Sequence, residues 1–267
     1  MMLVDEVRSE FTRSRRRGVL IGWLGLTAVF AALVGTLLPG IVADGPGGPA
    51  TGPGVSFPSL TQLQGSDGLT AGLSTGAAMF GVITLAFWAV LTASDHSTGL
   101  IRLLASAQPR RWRLLVGKVL ALTVWTAVAT VVALVVTLGI APAAASSAGV
   151  DTSAWSSATP GAVVTAAGDL FLTLLVWGVI GLVLATLTRS AAIAVSVGAG
   201  YVLVVEGVLS SALGSLGDHL PGATLTALAA GGTATVTHAT ALLSGAAYVV
   251  VGLGAALVVL TRRDITD

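Results

Sequence analysis

All thirteen basic residues of this 267-residue chain fall into four groups, and long apolar runs separate the groups. Arg8, Arg13, Arg15, Arg16 and Arg17 precede the first run. Arg102, Arg110, Arg111, Arg113 and Lys118 lie between the second and third. Arg189 separates the fourth from the fifth, and Arg262 and Arg263 follow the sixth. The runs are residues 18–38, 71–93, 119–141, 160–187, 191–212 and 239–260. Each is long enough to cross the ~30 Å hydrocarbon core of a bilayer as a helix. Six alternating crossings put every Lys and Arg on one side. The opposite segments carry Asp44, Asp67, Asp151 and Asp218 and no base. By the positive-inside rule that side is the cytoplasm, so both termini are expected there.

Composition agrees. Charged residues are 9% of the chain, against roughly a quarter in a soluble domain, and the mean hydropathy is +0.93. The solvent for most of this chain is therefore lipid. The first run is too long for a signal-peptide core and has no convincing cleavage site, so it reads as a retained span. One Lys among the thirteen bases, with abundant Ala, Gly and Val, points to a GC-rich bacterial genome and hence a plasma membrane. The expected fold is all-α: one polytopic domain over residues 1–267 with six transmembrane helices.

The segments opposite the basic groups differ in kind. Residues 39–70 are rich in Gly and Pro and read as a loose loop. Residues 142–159 read as a short Ala/Ser linker. Residues 213–238 are too polar to span, and could dip back into the membrane as a short helix around Ala223–Ala230.

Little in the chain suggests covalent chemistry. Absence of cysteine removes disulfides, thiolate catalysis and Cys-based zinc sites. His96, His219 and His238 are far apart and no HExxH occurs, which leaves open only a metal site assembled in three dimensions. "VGKV" at 116–119 lacks the first Gly and the final Ser or Thr of a phosphate-cradling loop. "AAGD" and "SLGD" fall short of paired intramembrane aspartates. We expect no enzyme and no cofactor in this chain; if ATP is used, another polypeptide binds it.

Two acids lie in apolar surroundings. Glu206, about 15 residues into the fifth run, sits roughly 22 Å up at 1.5 Å per residue. A carboxylate facing lipid there is costly, so it should line a cavity or bond a neighbouring helix. Asp169 reads as an interfacial acid near the outer edge of the fourth run. Trp23, Trp88, Trp112 and Trp155 read as interfacial belts, and Trp125 and Trp177 as helix packing. Gly18/Gly22 and Ala194/Gly198 allow close helix approach, within or between subunits.

The second basic group lies in "SDHSTGLIRLLASAQPRRWRLLVGK", residues 94–118. Residues 97–107 read as a short helix capped by Ser97 or Thr98 and ended by Gln108-Pro109. Leu100, Ile101, Leu103 and Leu104 share an apolar side. Such a helix either lies on anionic headgroups or docks a cytoplasmic partner.

This stretch resembles the first cytoplasmic loop of ATP-binding-cassette permeases of the type-2 exporter class, with Leu-Leu, Pro-Arg-Arg and a Lys opening the third span. "VDEVRSEFTRSRRR" is similar to their N-terminal interfacial helix, with Leu3, Val7 and Phe11 on one face. "YVLVVEGVL" resembles their fifth span, and "LTRRDIT" their ending. Asp95-His96-Ser97 stands where others have a Glu or a Tyr-Ser pair. The resemblance implies an interfacial helix over 1–17 and a coupling helix over 97–107. Through Thr98, Leu100, Ile101, Leu103 and Leu104 that helix would dock on a separate cytoplasmic ATP-binding subunit, present in two copies and holding ATP and Mg. It also implies a second permease, identical or not, and a path lined by Phe80, Thr84 and Phe87 of the second span and Tyr201 and Glu206 of the fifth. The expected activity is ATP-driven export of an apolar or amphipathic compound, with lipid and no nucleic acid as further partner. A non-transporting scaffold or sensor, and an independent channel or ion-coupled carrier, remain the rival readings.

Overall fold

Helices make up nearly all of the computed structural model, which describes residues 3–15, 17–45, 51–52, 55–97 and 111–262. In chain order they are α1 (Leu3–Ser14), α2 (Arg17–Asp44), α3 (Leu60–Gln64), α4 (Ala71–Thr75), α5 (Ala77–Ser97), α6 (Arg111–Ser147), α7 (Pro160–Thr188), α8 (Ala191–Gly200), α9 (Glu206–Leu213), α10 (Pro221–Ala229) and α11 (His238–Arg262). A π turn, Tyr201–Val205, joins α8 to α9 in one interrupted span. Two paired two-residue strands lie at 51–52 and 55–56, and short 3-10 turns at Ser66–Thr70, Ser153–Ser157 and Gly214–His219. By length and composition, six helices can cross a membrane: α2, α5, α6, α7, the α8–α9 span and α11. The fold is thus all-α with six candidate spans, as expected.

Two helices run on past the prolines that the sequence reading put at the ends of their spans. α2 runs through Pro39 and α6 through Pro142, where the apolar runs were taken to end. A proline inside a helix removes one hydrogen bond, and neighbouring elements make that tolerable. At 37 residues, α6 is about 55 Å long, well beyond a bilayer core. Its last turns build a cap at the end away from the basic residues. There Leu38, Leu63, Ala141, Ala145, Val150 and Trp155 form one apolar cluster.

Residues 57–70 are therefore not the loose loop expected of so much Gly and Pro. Ser59 and Gln62 close a reciprocal capping box on α3. The Trp155 indole donates to the Leu63 carbonyl at 2.9 Å. Gly68 is required beside it, since a Cβ there would lie 2.6 Å from the indole nitrogen. Nearby, the Ser153 amide donates to Asp151 at 2.9 Å and helps hold that exposed carboxyl below its usual range.

The centre of the bundle is the α5–α7 pair. Trp88 of α5 lies on Gly178 of α7, and Trp177 of α7 lies on Gly81 of α5. Each glycine removes the side chain that would otherwise hold the helices apart. The Trp88 indole also donates to Thr126 of α6 at 3.1 Å. On another face, α2 and α5 meet through two aromatic pairs seven residues apart. Trp23 stacks on Phe87 with centroids 3.8 Å apart, and Phe30 meets Phe80 edge-on at 5.1 Å. Trp23 and Trp88 are consequently buried and belong to no interfacial belt. Trp112 is exposed.

Of the two small-residue pairs, Ala194 and Gly198 are buried against the bundle, with Leu85 and Leu184 facing Gly198. Among the described residues, nothing lies within 4 Å of a Cβ placed on Gly18 or Gly22. The α7–α8 connection is two residues long. Arg189 ends α7 in a left-handed conformation, φ 53°, and Ser190 caps α8 by accepting from the Ile193 amide.

Candidate functional site

Two polar constellations interrupt this apolar bundle, one in the fifth span and one at the basic end. The first starts at the π turn, where the backbone N–H of Glu206 reaches back to the Tyr201 carbonyl. The wider turn re-aims the residues that follow. Glu206 is buried (6% exposed) and points at the start of α10. Its carboxylate accepts from the Gly222 amide at 2.9 Å and the Ala223 amide at 2.6 Å. Leu220 has no side chain able to cap this helix, so Glu206 supplies the cap from another element. A Cβ on Gly222 would lie 2.6 Å from the carboxylate, so a larger residue there would push Glu206 off the cap. Tyr201, and Tyr248 of α11, pack against the cluster that holds Leu225 and Leu228 of α10.

Of the two roles considered for Glu206, the geometry is that of a bond to a neighbouring helix. α10 is the short helix expected near 223–230, and Leu225, Ala227 and Leu228 bury it against the bundle. Next to it, Asp169 of α7 meets His238 Nε2, the first residue of α11, at 2.9 Å. His238, one of three scattered histidines in the sequence, is thus joined to an acid 69 positions away. Among the described residues, no group of three His, Cys, Asp or Glu is placed to hold a metal.

The candidate path residues fall into two sets. Phe80, Thr84 and Phe87 are buried, at 1%, 2% and 3% exposed. The two rings are engaged by α2, and the Thr84 hydroxyl donates to the Phe80 carbonyl at 2.9 Å. In the single chain these three are packing residues. Tyr201 and Glu206 stand together beside α10.

At the basic end three elements converge on Lys118 of α6. Its ammonium lies 3.1 Å from Glu10 of α1 and 2.5 Å from Asp95 of α5. It also donates to the Leu91 carbonyl at 3.3 Å. Glu10 is shared with Arg13. One turn further along α1, Ser14 accepts from the Trp125 indole at 3.0 Å, and Phe11 stacks on Trp125 at 5.0 Å. Asp95 and Lys118 sit on the two stems of the loop that carries Thr98, Leu100, Ile101, Leu103 and Leu104. Those five residues lie outside the described ones. The sequence reading noticed Lys118 but gave it no partner. The available signal was its position: the chain's only lysine, one residue before an apolar run, with Asp95 just after another.

A family model described as a protein of unknown function (DUF2705) matches residues 53–266. The chain belongs to this family. No curated protein and no solved structure matches it. The DUF2705 match takes in Asp95, Lys118, Asp169, Glu206 and His238, whereas Glu10, Trp23 and Phe30 precede it.

Proposed function

We propose that this protein is the membrane permease subunit of an ATP-driven exporter, similar to the type-2 ATP-binding-cassette permeases its sequence resembles. It would move an apolar or amphipathic compound across a bacterial plasma membrane with ATP hydrolysed by a separate cytoplasmic subunit. The observation that carries the reading is the Lys118 junction. A loop that passes force from an ATPase to the membrane must have stems that move together. Here one ammonium fastens the end of α5, the start of α6 and the N-terminal helix.

In this reading the basic end is cytoplasmic, α1 lies along the inner interface, and residues 97–107 are the coupling helix. Tyr201 and Glu206 flank the path. Phe80, Thr84 and Phe87 join it only in a state where α2 moves off α5. The deciding experiment is co-purification of a nucleotide-hydrolysing subunit with the full chain, with Leu103→Asp and Leu104→Asp as docking variants. Each is expected to weaken capture about tenfold, since one buried Leu is worth roughly 1.5–3 kcal/mol. Capture of no ATPase by inserted wild-type protein would favour a scaffold or sensor. Orientation is checked with cysteines at Ser106 and Ser147 and a membrane-impermeant thiol reagent on intact cells. Labelling at 147 and not at 106 is expected; the reverse overturns the topology.

A further inference from the structure

The basic end also holds, beside the Lys118 junction, a partly enclosed cavity of about 260 Å³. Glu10, Arg13, Asp95 and Lys118 form its polar wall, and Leu91 and Ala121 contribute an apolar one. Its four charges run in a chain, Arg13 to Glu10 to Lys118 to Asp95, so the wall carries both signs and no net charge. Arg13 spends one terminal nitrogen on Glu10. Its other terminal nitrogen, Nη1, is buried and has no hydrogen-bond partner among the described residues. The side chain is 30% exposed where it lines the cavity, so a small turn of the guanidinium would offer this donor to an anionic oxygen there.

A simple anion fits poorly, because two carboxylates share the wall; a simple cation meets Arg13 and Lys118. A group bearing both signs a few ångströms apart satisfies each side. Depth narrows the choice. Lys118 immediately precedes the apolar run 119–141, which puts the cavity at headgroup level once the helices cross a membrane. We propose that the cavity binds the headgroup of a zwitterionic phospholipid with a primary ammonium, its phosphate on Arg13 and its ammonium toward Glu10 and Asp95. This requires that the six helices span a bilayer and requires nothing of transport.

The test is native mass spectrometry of the full chain in detergent, titrated with phosphatidylethanolamine, phosphatidylglycerol and phosphatidylcholine of equal acyl length. Phosphatidylethanolamine is expected to be retained about tenfold better than either of the others, the scale of one charge-assisted hydrogen bond. Arg13→Gln removes the unused donor and should abolish the preference. Ser94→Leu, at a partly buried lining position, keeps all four charges while narrowing the cavity, and should do the same with helix content unchanged. Equal retention of the three lipids by wild-type protein overturns the proposal, as does a preference that survives both variants. Free O-phosphoethanolamine should compete at least about tenfold less well than the lipid, because acyl chains concentrate the headgroup at the surface. Equal competition overturns the assignment to lipid.

Discussion

The second and fifth spans are both apolar runs of similar hydropathy, and the fold treats them in opposite ways. In α5 67% of the apolar stretch is buried, against 22% in the α8–α9 span. α5 contacts α2, α7 and α8, and its aromatic rings are all engaged. The fifth span is broken by a π turn, turns its one acid inward, and shows Val204, Val205 and Val208 outward. Lipid is as apolar as either face, so hydropathy does not choose between them. Shape does. α5 offers Gly81 to Trp177 and takes Gly178 for Trp88, and van der Waals fit of that kind is what associates helices in a membrane.

The sharpest way to break the comparison is to fill that fit. In Gly178→Val a Cβ would lie 2.5 Å from the Trp88 ring, whereas nothing lies within 4 Å of Gly200 in the fifth span. Overpacking typically costs about 1–3 kcal/mol and sometimes more, and here the central pair itself is driven apart. Gly178→Val is expected to yield little monodisperse protein after detergent extraction, and Gly200→Val to behave as wild type. Equal damage from both would mean that the two spans are equally packed.

Lys118→Met, in the third span, attacks the basic end of the second through Asp95. It leaves Glu10 and Asp95 without their shared counter-charge, and breaking a buried pair this way costs roughly 3–5 kcal/mol. Solvent reaches part of the site, so the lower end of that range is expected. The effect should be local: faster amide exchange in α1 and around Asp95, with α9 and α10 unchanged. Glu206→Leu is the matching change in the fifth span. Loss of a helix cap costs about 0.5–2 kcal/mol, read as faster exchange at Gly222 and Ala223, and Glu206→Gln should retain part of the protection. If Lys118→Met loosened α10 as much as α1, the two polar sites would be one coupled unit.

Much of this was legible before any coordinates. Six candidate spans and their order followed from run length, because crossing a bilayer sets length and polarity almost alone. The short helix after the fifth span and the need for Glu206 to avoid lipid were legible for the same reason. What the residues did not disclose depends on partners distant in sequence. Trp88 and Trp23 have the depth of belt residues, and only the glycine and the phenylalanine opposite them turn them inward. Glu206 caps a helix 16 residues on, and Asp169 finds His238 69 residues on. Within the stretch read as a loose loop, residues 39–44 and 57–70 were misjudged because Gly and Pro content describes the free chain, while 46–50 and 53–54 lie outside the described residues. Trp155, far along the sequence, orders the 57–70 part of it.

The smallest effect expected tests the comparison inside one span. Val202 and Val204 are two residues apart in the same π turn, 2% and 63% exposed. Val202 packs with Leu85, Val176 and Leu225; its truncation leaves a gap among fixed neighbours. Val202→Ala should therefore cost about 1–2 kcal/mol, by analogy with other buried methyl deletions. Val204→Ala, like Val208→Ala, removes methyls that touch only lipid or detergent, and should stay within about 0.5 kcal/mol. Thermal unfolding of the purified single chain reads this difference directly. Repeating it in membranes adds information, because a second copy seated on this face would make Val204 a contact residue there. In that case Val204→Ala would be silent in dilute detergent and destabilising in the bilayer. Val204→Cys, in this cysteine-free chain, would then form a cross-link between copies. A Val204→Ala cost in detergent equal to that of Val202→Ala would show that this face is already covered within the chain, and the contrast between the second and fifth spans would fail.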